Sequence, residues 1–414
     1  MKHRDFAKII EKGVKNCDKQ SQPLHLLELF GGIGAPRRAL EKTIGRLVQD
    51  ENPDADKRSI RKKVQECIKS IDYVEYLPYA VQAYNHIFDL SNHPQDIRLW
   101  NLSVDILVHG SPCQDFSKEG NNNLNSGRSI LYERSIQVLD PHPEDGPPEL
   151  TRQPKLVIWE NVPQMVHKYP DILQHYLTSM ESFGYTNTFC ASKKYVKKGG
   201  YISPRSIMLD HMLDASEYGI PQARERFFCI SVLNEYADKH GAFRFPDAID
   251  PNLRPTLDSY LDKKADVNAY AFTPKELEIT KKVNGQWYVK QAVKGDFGAG
   301  NGWVPVNEGQ RVDLAFPNST SRRGRIGDYA STFTTSPRQG VLLNDKFRLF
   351  TAKEKLMLMG YTEDDYNNMV DAGLTENQIT FLSGNSICVP VLEQIFLSAF
   401  AQYPELTEKT LYKI

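Results

Sequence analysis

The chain has little that would cross-link it or place it in a bilayer. Its six cysteines (Cys17, Cys67, Cys113, Cys190, Cys229 and Cys388) are scattered over 414 residues, and none forms a Cys-x-x-Cys pair. A zinc site and a disulfide framework are therefore not expected, and no metal is assigned. Any one cysteine taken alone reads as a small buried hydrophobe. No apolar run approaches the roughly 18–20 residues of a membrane helix. The N-terminus, Met1-Lys2-His3-Arg4-Asp5, leads into a charged amphipathic stretch and not into the apolar segment of a signal peptide. A cytoplasmic location with no membrane partner is the expectation. An excess of one charge is missing too. The 51 Lys and Arg against 52 Asp and Glu leave a net charge of −1, so a basic face has to come from local clustering. Internal repeats are not seen.

What is there is a globular composition, 40% hydrophobic and 25% charged. The length suits one large domain plus a smaller one. Residues 24–35, Leu-His-Leu-Leu-Glu-Leu-Phe-Gly-Gly-Ile-Gly-Ala, read as a buried strand, a glycine turn and the start of a helix. Further apolar strands are predicted at 104–109, ended by Gly110-Ser111-Pro112-Cys113, at Lys155 to Asn161, and from Phe227. Helical patterns lie between them. This alternation predicts a doubly wound α/β sheet, with chemistry in the crevice at the carboxyl ends of the strands. After about residue 240 short polar segments rich in Gly, Pro, Asn and Thr predict a domain of strands and loops, and helical periodicity returns from about 346. Charged stretches at roughly 50–70 and 140–154 read as surface insertions, the first as a solvated helix face, with contact to DNA phosphates as its alternative.

Three features fall at strand ends. Phe30-x-Gly32-x-Gly34 lets backbone approach a ligand closely, and the following helix N-terminus favours an anionic group. Alone it is compatible with a nucleotide site, an S-adenosylmethionine site or a tight turn. The fuller dinucleotide pattern needs a third glycine where Arg37 stands. Glu75 and Asp96 are candidate acceptors for ribose hydroxyls and an adenine amine. Cys113, directly after a strand in a proline-fixed turn, is placed to be reactive. Glu160 puts a carboxyl at a neighbouring strand end, and the alternation of Arg224 and Arg226 aims two guanidiniums to one side. Nucleophile, proton donor and oxygen clamp together suit an electron-poor heterocycle.

At these residues the chain resembles the C5-cytosine-specific DNA methyltransferase family, bacterial or phage type. The likeness runs in order through Phe30-x-Gly32-x-Gly34, Glu75-Tyr76, Asp96-Ile97, Pro112-Cys113-Gln114 with Phe116-Ser117, Arg128 through Leu131, Glu160-Asn161-Val162, Gln222-x-Arg224-x-Arg226, Arg325 through Thr335, and Gly384-Asn385-Ser386. It covers nearly the whole chain. It implies a Rossmann-like S-adenosyl-L-methionine-dependent catalytic domain over 1–240, a target-recognition domain over 241–345, and a hinge with C-terminal helices over 346–414 that completes the catalytic domain.

The resemblance also implies roles. Cys113 adds to cytosine C6, Glu160 holds N3 and the exocyclic amine with a pKa raised by burial, and Arg226 holds O2. Arg224 braces the site and favours the thiolate, with a purely structural role as its rival. Phe30, Gly32, Gly34, Glu75, Tyr76, Asp96, Ile97, Leu131, Asn385 and Ser386 line the methyl-donor site, whose product is S-adenosyl-L-homocysteine; for Tyr76 and Ile97 a core position is the alternative. Asn161 fixes loop geometry by hydrogen bonds. Gln114, Ser117, Arg322, Arg323, Arg325 and Arg338 are candidate DNA contacts. The base is flipped from double-stranded DNA. A monomer is expected, and a cognate restriction endonuclease encoded nearby is compatible, with no contact required. A transfer-RNA methyltransferase on the same scaffold is the alternative; its Cys-Phe-Thr signature is not found. An NAD-dependent oxidoreductase is disfavoured by Arg37, and a catalytically dead relative by the presence of Cys113, Glu160 and Arg226.

Overall fold

In the computed structural model the described residues are 24–68, 70–96, 104–111, 131–141, 153–192, 202–292, 302–334 and 338–407. They fall into two compact units. The first comprises Met1–Leu213, Glu225–Asp247 and Ile387–Ile414, and the second Asp214–Arg224 and Ala248–Ser386. The change of texture expected near 240 therefore falls at 247–248. Helices resume at Ala352, as the periodicity expected from about 346 requires, and those from Ala352 to Asn385 belong to the second compact unit.

The first unit is built on strands β1 (His25–Leu29), β2 (Ser70–Val74), β3 (Ile106–His109), β4 (Leu156–Asn161), β5 (Tyr185–Cys190), β6 (Ser206–Leu209), β7 (Leu213–Asp214) and β9 (Glu225–Leu233); β8 (Gln222–Ala223) lies between the last two in sequence. The sheet order is β2-β1-β3-β4-β9-β5-β6, with β7 beside β9. Pairs β1–β2, β1–β3 and β3–β4 are parallel, and β9 runs antiparallel to β4 and β5. Every residue of β3 and β4 is buried, as expected of central strands covered on both faces. Helix Ala35–Glu51 packs against helix Val389–Gln402, where Arg46 meets Glu393 at 2.9 Å. The apolar helical stretch Glu376–Gln402 is mostly buried and serves as core. The charged stretch after residue 50 forms helix Lys57–Cys67, capped by Asp56 and buried only at Cys67, so it is a solvated helix face.

The register decides what the sheet presents. Val74 pairs with Leu29, Leu29 with His109, and His109 with Trp159. The residues that follow, Glu75, Phe30, Gly110 and Glu160, therefore stand side by side at the carboxyl edge of the sheet. Strand order reverses around β1, whose neighbours lead to opposite sheet edges, and such a switch point opens a crevice.

The second unit carries a three-stranded antiparallel sheet of β10 (Thr280–Val283), β11 (Gln286–Lys290) and β12 (Trp303–Val306). A four-stranded sheet, order β14-β13-β16-β17, uses β13 (Arg311–Asp313), β14 (Arg325–Gly327), β16 (Gln339–Leu343) and β17 (Lys346–Leu349), and β15 (Ala330–Ser331) pairs with β8. Asn284-Gly285 and Asn344-Asp345 turn two of the hairpins with positive φ at both central residues, the geometry that matches strand twist. Phe272, Val289, Val306, Val312, Leu342 and Phe347 form its core. Its helices start at threonine capping boxes, Thr351 with Glu354, Thr362 with Asp365 and Thr375 with Gln378.

Candidate active site

The turn after β1 needs its glycines for different reasons. Gly34 caps helix Ala35–Glu51 in the left-handed region at φ 77°. A Cβ on it would stand 2.5 Å from Phe88 and 2.6 Å from Tyr84. At Gly31 a Cβ would meet Tyr73 at 2.7 Å, whereas Gly32, at φ 54°, faces open space with nothing within 4 Å. So two glycines let aromatic rings pack under the turn, and the third leaves room above it. Phe30 also has positive φ, 57°. The loop is tied down from β2. Tyr73 donates its hydroxyl to Gly32 O at 2.7 Å, and Glu75 accepts from Gly32 N at 3.0 Å and from Leu77 N at 2.8 Å.

Burial pushes the Glu75 carboxyl up, against the backbone bonds that pull it down. With about four lone-pair sites, the carboxylate keeps acceptor capacity for a ligand hydroxyl beyond these backbone bonds. Gln95 N donates to Glu75 O at 2.8 Å, which sets Asp96 next to that segment. The Tyr76 ring is 74% exposed, so the core alternative for it is excluded. Leu131 begins helix Leu131–Leu139. Ile97 lies outside the described residues.

Beneath the turn sits a group that motif matching missed. Glu28 is fully buried in β1, accepting from Arg37 N at 2.8 Å and from the Tyr84 hydroxyl at 2.7 Å. Burial outweighs those bonds and pushes its carboxyl up to about 7. The available signal was an acid inside an otherwise apolar strand, Leu-Leu-Glu-Leu-Phe.

On the other side of the crevice, the antiparallel pairing of β9 with β4 sets Phe228 opposite Glu160 and Phe227 opposite Asn161. Arg226, one residue earlier, is thereby carried to the end of β4. Its Nε lies 3.2 Å from Glu160 Oε1, with both side chains mostly buried. Glu160 Oε2 stands 3.4 Å from where a Cβ on Gly110 would be, so the carboxylate lies directly beside that turn. Along β4, side chains alternate between faces. Trp159 and Asn161 share the face opposite Glu160, and both reach Ser111. The Trp159 indole donates to Ser111 Oγ at 3.4 Å, and Asn161 Nδ2 lies 3.2 Å from Oγ and 3.3 Å from Ser111 O. Asn161 Oδ1 in turn accepts from Val162 N at 2.8 Å. Buried Ser111 is thus clamped two residues before Cys113, and the expectation for Asn161 agrees with its bonds. Cys113 itself, with Gln114 and Ser117, lies outside the described residues.

The described cysteines, Cys67, Cys190, Cys229 and Cys388, are buried and in no disulfide. Burial pushes the Cys67 and Cys190 thiols up to about 12, so neither is a thiolate near neutral pH. His109 is buried beside Trp159 and Tyr176, and desolvation pushes it down to about 3, so it is neutral. No metal-binding group of His, Cys, Asp and Glu occurs among the described residues.

The two arginines of the Gln222-x-Arg224-x-Arg226 motif have different partners. Arg224, buried, donates to Phe333 O at 3.3 Å, Gly384 O at 3.0 Å and Ser386 O at 2.8 Å. Its guanidinium braces the backbone of the second unit, whereas Arg226 meets Glu160. Gln222 has a similar bracing role through Leu358 O at 2.8 Å. Asn385 and Ser386 end helix Glu376–Asn385 of that unit, with Ser386 Oγ 3.1 Å from the Tyr361 hydroxyl. Among the candidate DNA contacts, Arg323 donates to Gln291 O at 3.2 Å, while Arg322 and Arg338 lie over the Phe316 ring at 4.5 and 5.5 Å. Arg325 is exposed on β14, opposite Asp313.

A carboxyl-edge crevice with a glycine turn on one side and a carboxylate–guanidinium pair on the other defines a methyltransferase scaffold of the Rossmann-like kind. The family model for C-5 cytosine-specific DNA methylases matches residues 24–401, and the chain belongs to that family. It is 24% identical to the orphan methyltransferase M.SssI of Spiroplasma monobiae, over 92% of this chain and 98% of that one. It is 25% identical to the type II methyltransferase M.HhaI of Haemophilus parahaemolyticus, over 91% and 94% respectively. Among solved structures, the S. pombe Dnmt2 methyltransferase superposes with a TM-score of 0.52 at 16% identity, covering 92% of this chain and 99% of that one, a likeness of fold.

Proposed function

We propose that this enzyme transfers a methyl group from S-adenosyl-L-methionine to C5 of a flipped-out cytosine in a short specific sequence of duplex DNA, through a covalent bond between Cys113 and C6. The observation that carries the proposal is the Glu160–Arg226 pair at 3.2 Å, held at the sheet edge beside the strand that leads through the clamped Ser111 to Pro112-Cys113-Gln114. A carboxyl and a guanidinium side by side match the N3–amine edge and the O2 of one cytosine. Duplex DNA is favoured over transfer RNA by the type II and orphan methyltransferases among the relatives and by the strand-rich second unit, which we assign to target recognition.

The crevice suits the methyl donor. Gly32 leaves open space over the turn, Glu75 presents a carboxylate with spare acceptor capacity, and the exposed Tyr76 ring is free to cover an aromatic base. Phe30, Gly32, Gly34, Glu75, Tyr76, Asp96 and Leu131 would hold S-adenosyl-L-methionine, which when bound supplies an electrophilic methyl on a sulfonium. The chain's own groups do the rest. The Cys113 thiolate forms a bond to C6, and the C5–C6 π electrons become available at C5. Glu160 delivers the proton that N3 takes up, and Arg226 holds O2. After transfer a base removes the C5 proton, the double bond re-forms as the thiolate departs, and N3 returns its proton to Glu160. Asn161 and Trp159, through Ser111, position the strand end that leads to the nucleophile. Arg224 is a positioning residue.

Duplex DNA with 5-fluorocytosine at the target tests this, because fluorine cannot leave as a proton does. The wild type should form a denaturation-resistant adduct and Cys113→Ala should not; an adduct that persists in Cys113→Ala refutes the nucleophile assignment. Methylation of transfer RNA alone, with labelled cofactor, would overturn the choice of substrate.

A further inference from the structure

The second unit carries four candidate arginines, and their surroundings separate them. Arg323 is tied to the backbone of the neighbouring strand. It donates to Gln291 O and accepts from Ala292 N at 3.0 Å, and Gly324 sits so close that a Cβ would stand 2.3 Å from Lys290 O. Arg325 and Arg338, with the buried Arg311, lie around Asp313, whose carboxyl all three pull down against the effect of burial. Their charge is partly offset in place. Arg322 differs. It is exposed, its guanidinium lies over the Phe316 ring at 4.5 Å, and its side-chain N–H groups have no hydrogen-bond partner among the described residues. Its backbone is fixed as well. Arg322 N donates to Ser319 Oγ at 2.9 Å, Ser319 N donates to Phe316 O at 3.0 Å, and the next two residues are pinned against Lys290–Ala292.

An arginine held this way is a pre-oriented fork. Stacking on an aromatic face fixes the plane of the guanidinium while leaving its edge donors free. A phosphate can also take such a fork bidentately, but it carries no sequence information, so phosphate contact and base reading separate by whether binding depends on the base. Guanidinium only donates, and in the major groove only guanine offers two adjacent acceptors, O6 and N7. Adenine presents a donor beside its acceptor, cytosine a donor, and thymine one acceptor and a methyl group.

We infer that Arg322, oriented by Phe316, is a specificity-determining residue that reads one guanine, other than the partner of the target cytosine, in the recognised sequence. This rests on the proposed action on duplex DNA, and the experiment separates the two. The full-length protein is incubated with S-adenosyl-L-methionine and a duplex pool randomised around a cytosine, and methylated positions are read by sequencing. The wild type should require a G·C pair of fixed orientation at some position besides the target. In Arg322→Lys, which keeps the charge and loses the fork, and in Arg322→Ala, preference at that one pair should fall by about 5- to 150-fold, with the other positions unchanged. Phe316→Leu, which also removes the ring beneath Arg338 at 5.5 Å, should weaken at least the same position. Uniform loss across all sequences in Arg322→Ala, with Arg322→Lys behaving as wild type, would mark a phosphate contact and overturn the inference. So would a wild-type site with no such G·C requirement. A wild type that methylates no duplex at all would sink the proposed function, and this inference with it.

Discussion

Glu28 offers a test in which the sign of the effect matters as much as its size. Its carboxyl is enclosed by the Tyr84 hydroxyl, Arg37 N and the charges of Arg37 and Glu41, and it titrates near 7 instead of the ordinary 4.5. A carboxyl whose folded pKa is raised binds its proton more tightly when folded. Its favourable contribution is therefore fully present below pH 4.5 and is lost as pH rises through 7. At ~1.36 kcal/mol per pH unit, folding should lose roughly 2–3 kcal/mol from this one group between pH 5 and pH 8. Other titrating groups contribute too, so the measurement is a difference. Glu28→Gln is nearly isosteric. Its amide oxygen can accept from Arg37 N and its amide nitrogen can donate to the Tyr84 oxygen, and it cannot ionise. Unfolding should be followed at several pH values for both proteins, by calorimetry or by urea with tryptophan fluorescence. Relative to wild type, Glu28→Gln should gain stability steadily from pH 5 to pH 8. With about 2 °C or somewhat more per kcal/mol for a protein of this size, the gap between the midpoints should widen by roughly 5 °C. A gap that stays constant with pH would refute the argument. A variant less stable by the same amount at every pH would mean that Glu28 works as an ionised anchor.

The glycine turn gives a ranking. Gly34→Ala meets both an unfavourable φ, at about 1–2 kcal/mol, and the Tyr84 and Phe88 rings, whereas Gly32→Ala meets the strained φ alone, so the thermal midpoint should fall further for Gly34→Ala. In the second unit Arg348 and Glu354 are 1% and 0% exposed and joined at 2.6 Å, and Glu354 also completes the capping box of Thr351. Glu354→Ala should destabilise that unit by about 3–5 kcal/mol in denaturant titration, because it leaves a buried cation unpaired; a loss under about 1 kcal/mol would show that water reaches the pair.

How much of this was legible in the sequence depends on how far apart the interacting residues lie. The glycine turn, Glu75 and Glu160 are strand-end features. Each is announced by a local apolar run that stops, and parallel register then lines the ends up without further instruction. In the second unit Asn284-Gly285 carries a turn signal of the same local kind, but only short strands and loops were expected there, with neither this turn nor a sheet order. Packing under the turn was not legible, because it takes rings from another helix and strand, Tyr84 and Tyr73, to explain why Gly34 and Gly31 cannot carry a Cβ. The motif Gln222-x-Arg224-x-Arg226 marks the limit most sharply. Alternation along an extended chain predicts that both arginines face one way, and it assumes that the chain stays within one packing environment. Between Arg224 and Glu225 the chain passes from one compact unit to the other. Arg224 is left to bond the carbonyls of Phe333, Gly384 and Ser386, up to 162 residues away in sequence, and Arg226 enters β9 and meets Glu160. Two identical side chains two positions apart thus acquire different work, and it is the unit boundary, invisible in local pattern, that divides them.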